Sequence, residues 1–126
     1  MVKVAVAQIE IFEELNKNIK KVLKFIDKAS SKKADIVCFP ESCLGDKEID
    51  LKSREIKAIQ DKCKKKAVSC IVGAHIKEGR KIFNSAILID GLGKIIYVYK
   101  KVNLFHGLDL EKSSAGKTNK VIQTSF

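Results

Sequence analysis

A chain of 126 residues, 45% of them hydrophobic and only one a proline, has material for a single hydrophobic core and is neither a linker, a fibre nor a disordered tail. Its formal charge of +10 is carried almost wholly by lysine, because only Arg54 and Arg80 of the 25 basic residues are arginine. The planar, bidentate donor that reads base edges is therefore nearly missing, which argues against specific nucleic-acid recognition and for a solvated lysine-rich surface.

Residues 2–9 open the chain as a Val- and Ala-rich run with apolar side chains on both faces, the pattern of a strand covered on two sides. Leu15, Ile19, Val22, Leu23, Ile26 and Ala29 then form one apolar stripe, which predicts a helix over 13–31 with lysines toward solvent. Residues 35–39 (DIVCF) are a short apolar run stopped by Pro40, a second buried strand. Strand, helix and strand at this spacing make a βαβ unit with parallel strands. Beyond Glu41 the chain turns polar, and Gly45, Asp46 and Asp50 mark a surface loop or the start of a helix carrying Ile56, Ile59, Cys63 and Ala67. Residues 68–74 (VSCIVGA) read as a third strand and 83–90 as a fourth. The turn Gly91-Leu92-Gly93 joins the fourth to 95–101 as an antiparallel hairpin, because three turn residues cannot house a crossover. Residues 107–119 are expected as a long polar loop, and 121–126 as the start of another strand. Two helices suffice for one face of such a sheet and leave the other exposed, so either a partner surface is expected to cover it or the polypeptide is expected to be incomplete.

Cys38, Cys43, Cys63 and Cys70 form no Cys-x-x-Cys, and His75 and His106 stand at no ligand-like spacing from them, so reduced thiols and no metal are expected. No basic flank precedes a long apolar run at the N-terminus, and the apolar runs are strand-sized. Neither a signal peptide nor a membrane span is expected, and the expected location is cytoplasmic.

Glu41 is the first candidate for chemistry. It stands at the carboxyl end of the second strand, where ligands bind in mostly parallel sheets, and Pro40 fixes the backbone before it. A glutamate capping a helix or facing solvent is the competing account. Lys101 ends a strand whose alternation puts Ile95, Tyr97, Tyr99 and Lys101 on one face and Lys100 on the other; it either delivers an ammonium to a half-buried site or snorkels to the surface. Ala115-Gly116-Lys117-Thr118 resembles part of a phosphate loop. A Walker motif, however, needs a glycine where this chain has Glu111, and a helix where 121–126 reads as a strand, so nucleotide binding is rejected.

Several blocks in register resemble the carbon–nitrogen hydrolases, or nitrilase superfamily: 2–8 (VKVAVAQ), 34–41 (ADIVCFPE), the IVGAH ending at His75, 83–93 (FNSAILIDGLG), 99–105 (Y-x-K-x-x-L-F), then Glu111 and the late glycine in Ser114-x-Gly116-Lys117. The resemblance covers essentially the whole chain. It implies an α/β fold of the four-layer α-β-β-α sandwich type, with residues 1–126 as the N-terminal portion of a single domain and the sandwich incomplete in this chain. It also implies a Glu–Lys–Cys triad that cleaves non-peptide C–N bonds of a small amide or nitrile, without metal or organic cofactor, in a homo-oligomer. By motif Glu41 is the general base, Lys101 stabilises the oxyanion and Glu111 supports them. The nucleophilic cysteine is expected beyond Phe126, since Cys43 does not occupy its motif. Lys100 stands where the family has arginine, and Asn103 where it has histidine. Two other readings stay open: a non-catalytic structural or interaction module, and a basic nucleic-acid-associated protein.

Overall fold

The computed structural model describes residues 1–126, the side chains of Leu108 and Leu110 apart. The elements are β1 (Val4–Val6), α1 (Leu15–Ser31), β2 (Ile36–Cys38), β3 (Glu48–Ile49), α2 (Arg54–Lys66), β4 (Ser69–Glu78), β5 (Lys81–Ile89), β6 (Ile95–Lys100) and α3 (Leu108–Lys112). The α1 stripe buries Leu15, Ile19, Val22, Ile26 and Ala29 as its spacing requires, together with Asn18. That asparagine is the one polar member of the face. Its amide is satisfied by the Phe12 backbone on both sides, accepting from the N–H and donating to the C=O at 2.7 Å each, which seats the chain entering the helix. Ser53 caps α2 by accepting from Ile56 N, and Ala67 ends the helix in the left-handed conformation at φ 50. Lys64, Lys65 and Lys66 lie in the last turn, where the helix dipole favours cations.

The sheet runs β1-β2-β4-β5-β6, parallel through β1, β2 and β4 and antiparallel through β5 and β6. The short β3 adds in parallel to the far half of β4, at His75 and Ile76. Ala5, Val37, Cys70, Val72, Ile87 and Ile89 face α1 and α2 in one apolar core.

The opposite face is largely uncovered. Val4 and Val6 remain 55% and 83% exposed, so β1 is an edge strand covered on one side, not on the two that its composition suggested. Composition cannot distinguish a strand already covered from one with an apolar face still to be covered. Three further expectations are corrected. The 45–50 loop contains β3, too short to carry a periodicity. The 107–119 loop contains α3. Residues 121–126 form no strand, since they enter no ladder with any strand of the sheet.

Candidate active site

The path of the chain after β2 decides where Glu41 points. Phe39 N donates to Ile71 O at 3.0 Å, and after Pro40 the backbone folds over β4 at Gly73. A Cβ on Gly73 would stand 2.5 Å from Ser42 N and 2.8 Å from Pro40 O, both backbone atoms, so only glycine admits this crossing. The turn is then pinned. Leu44 N donates to Gly73 O at 3.1 Å, the Cys43 thiol sits 3.3–3.4 Å from Gly73 N and O, and Ser42, left-handed at φ 51, places its hydroxyl 3.1 Å from His75 Nε2.

Lys101 arrives from the other side. Its backbone N–H donates to Asn84 O at 2.8 Å, continuing the β5–β6 ladder one residue past β6. Its ammonium lies 2.7 Å from Glu41 Oε1 and 2.8 Å from Asp109 Oδ2. Asn84 completes the group by donating to the same Glu41 Oε1 at 2.7 Å, with its amide also 3.4 Å from Asp109 Oδ1. Glu41 Oε2 accepts no hydrogen bond among the described residues, which leaves it as the oxygen open to a proton.

The group borders a cavity of about 320 Å³ walled by Phe39, Pro40, Ile71, Gly73, Ala86 and Tyr99. The Glu41 side chain is 61% exposed, Lys101 25% and Asp109 13%, so the lysine is held from below and the glutamate faces the opening. Lys101 first, and Asn84 second, hold the Glu41 carboxyl below its ordinary range against the opposing effect of burial. Asp109 is lowered by Lys101 and then by the Phe105 N–H, and Lys101 is raised by Asp109 and then by Glu41. At neutral pH the cluster therefore holds two carboxylates around one ammonium, an arrangement able to accept a proton and to keep a cation fixed beside an apolar cavity.

Glu41 and Lys101 are thus brought together, across 60 residues of sequence. Glu111 is not in the group. It is exposed, makes no hydrogen bond or ion pair with either residue, and lines a separate cavity with His75 and Lys112. Two helical positions carry a side chain to nearly the opposite side, so one acid of α3 reaches Lys101 and the other turns away. Sequence reasoning missed Asp109, and it missed Asn84, whose signal was a lone amide inside the apolar run 83–89.

None of the four thiols lines the cavity. Cys43 is fully buried, and burial pushes its thiol up to about 11, so it stays protonated as a latch on Gly73. Cys63 and Cys70 meet in the core as free thiols, Cys63 donating to Cys70 Sγ at 3.4 Å, and burial raises the thiol of Cys38. Among the described residues no three His, Cys, Asp or Glu side chains group so as to hold a metal ion, and no helix is long and apolar enough to cross a membrane.

Comparison with known proteins identifies the family and the fold. The family model described as carbon–nitrogen hydrolase matches residues 3–126. A nitrilase and fragile histidine triad fusion protein of Drosophila melanogaster is 28% identical over 117 residues, covering 81% of this chain and 24% of that protein. An amidase from Nesterenkonia sp. AN1, solved with acrylamide added at its active-site cysteine, superimposes with a TM-score of 0.89 at 14% identity, over 99% of this chain and 54% of its own. A carbon–nitrogen hydrolase from Helicobacter pylori G27 does so with 0.81 at 18% identity, over 92% of this chain and 45% of its own. The chain thus spans about half the length of the solved relatives it matches. The likeness establishes the fold as the nitrilase-type α-β-β-α sandwich, to which α1 and α2 contribute an outer layer and the six-stranded sheet an inner one.

Proposed function

The chain belongs to the carbon–nitrogen hydrolase family, and from that premise we propose that it is the N-terminal portion of a hydrolase domain that opens a small amide or nitrile. In this reading Glu41 is the general base, Lys101 the oxyanion-stabilising cation, and a cysteine on a further segment the nucleophile. The observation that carries the reading is the 2.7 Å contact between Glu41 Oε1 and Lys101 Nζ at the mouth of a largely apolar cavity.

The chemistry follows from the positions. Glu41 Oε2, the unengaged oxygen, takes the thiol proton, and the thiolate attacks the carbonyl or nitrile carbon. Negative charge then develops on the substrate oxygen or nitrogen, where the ammonium of Lys101, already held by Asp109 and in no need of reorganisation, stabilises it. With an amide, protonated Glu41 returns its proton to the departing amine, leaving an acyl group on sulfur. With a nitrile, the proton goes to the nitrogen to give a thioimidate, and one water adds to its carbon before ammonia leaves and the same acyl group remains. A water that gives its proton to Glu41 attacks the acyl carbon, and the acid and the thiol are released. Glu41 is ionised at neutral pH, as a proton acceptor must be, while Asn84 fixes which oxygen is engaged. Asp109 takes the supporting part that the motif assigned to Glu111. The exposed Val4 and Val6 support burial of the open sheet face against the second sheet of the completed sandwich, and the completed protein is proposed to assemble as a homo-oligomer.

Joining the chain to a cysteine-bearing segment that completes the sandwich tests the reading. Amide hydrolysis should appear in the joined protein and be lost in Lys101→Met. Retention of full turnover in Lys101→Met would remove the lysine from the mechanism.

A further inference from the structure

We infer that Gly116 is a positioning residue for the working pair: by crossing Lys100 in direct backbone contact, it locks the Lys101 main chain so that the ammonium meets Glu41. The inference rests on the reading of Glu41 and Lys101 as that pair. After Lys101 the chain leaves the sheet, forms α3 and returns over its own start. Ser113 N donates to Asp109 O at 2.7 Å, Ser114 N donates to Ile82 O at 2.7 Å at the head of β5, and Gly116 N donates to Lys101 O at 2.9 Å. Residues 113–116 thus act as a strap. With Lys101 N already bonded to Asn84 O, the strap engages the remaining main-chain polar group of Lys101, and a residue one step past the end of β6 is held as firmly as one inside a ladder. The strap is also continuous with α3, which supplies Asp109 to the ammonium.

Only glycine permits this crossing. A Cβ on Gly116 would lie 2.1 Å from Lys100 O and 2.8 Å from Lys100 C, backbone atoms of a strand that is itself paired with β5 and cannot withdraw. Alanine must lift the strap, break the Gly116–Lys101 bond and carry Asp109 with it. Its effect would then reach Glu41 chiefly through Lys101, the largest influence on that carboxyl, with loss of the nearby Asp109 charge acting in the opposite direction.

The test is the titration of the Glu41 carboxyl, followed by 13C NMR on the full chain in low-salt buffer, where the charged neighbours are Lys101 and Asp109. Gly116→Ala should raise the Glu41 midpoint toward that of an ordinary glutamate, in the direction expected when Lys101 withdraws. Gly79→Ala is the control. Its site has φ +59 and open space around it, so the residue is strained but remote, and the Glu41 midpoint should not move. If Lys101→Met leaves the midpoint unchanged, the pair itself is refuted. If Lys101→Met raises it and Gly116→Ala does not, the strap inference alone fails. Should Gly116→Ala not fold, amide exchange in the unaltered chain decides: protection of the Gly116 N–H supports the lock, and exchange at the rate of a free peptide overturns it.

Discussion

Asn84 donates its side-chain amide to the same oxygen of Glu41 that the Lys101 ammonium holds, at the same distance of 2.7 Å. The two donors sort the carboxylate into one oxygen that is anchored and one that is open, a division a lone lysine could not enforce because an exposed ion pair samples both oxygens. Asn84 owes its place to the register of β5, where it stands opposite His75, the residue that tethers Ser42. Neighbouring positions of β4 and β5 thus brace both ends of the same short turn.

Asn84→Ala should therefore raise the Glu41 carboxyl pKa, and by less than Lys101→Met, because Lys101 is the larger of the two influences. Titration of the pair of variants by NMR checks the order. An equal or larger shift from Asn84→Ala would show that the amide, and not the ammonium, sets the ionisation of Glu41.

The cluster also fixes the sign of a pH effect on stability. Glu41 and Asp109 have folded pKa values below their unfolded ones, so what they contribute is complete above the ordinary carboxylate range near ~4 and is lost as pH falls through the lower folded values. Lys101, raised by the same contacts, contributes fully below its ordinary value and loses this as pH rises through the folded one. Glu41 is largely exposed, so its share is small. Urea midpoints followed from pH 7 to pH 2 should fall, and should fall less steeply in Glu41→Gln. Identical acid limbs in the two proteins would contradict the pairing in solution.

The open sheet face predicts the solution behaviour of the chain alone. Val4 and Val6 offer apolar surface along an unpaired edge strand, and only the charge of +10 opposes association. Added salt screens that charge over about 10 Å at 0.1 M. Sedimentation should show association that grows with ionic strength, and Val6→Lys should reduce it. A stable monomer at both low and high salt would refute this account.

Much of the architecture was legible where a periodicity was long enough to read. The stripe from Leu15 to Ala29, the run DIVCF closed by Pro40, and the separation of Lys101 from Lys100 correspond to observed faces. Ile95, expected on the face of Tyr99, instead packs with Val98 against the core because β6 shifts register opposite Leu88 and Ile89. The two-residue β3 and the five-residue α3 carry no period and could not be read. β4 extends to Glu78 through Lys77 and Glu78, polar residues that strand propensity does not favour but that pairing with β5 sustains. In the candidate site, Glu41 and Lys101 were singled out because each follows the end of a strand, and the fold brings the two side chains together. Asp109 was not, because its contact depends on how a loop returns after Lys101, and no local pattern encodes that return.

The central claim is that Glu41 is the proton acceptor of a cysteine-dependent amide or nitrile hydrolysis for which this chain does not supply the thiol. The most direct measurement is ammonia release from a short amide by the chain alone and by the chain joined to a cysteine-bearing segment, each with and without Glu41→Gln. The account predicts no release from the chain alone, release from the joined protein, and a loss on the order of 10²–10⁴-fold in Glu41→Gln with the fold retained. Unchanged turnover in Glu41→Gln, or hydrolysis by the chain alone that Cys43→Ala abolishes, would contradict it.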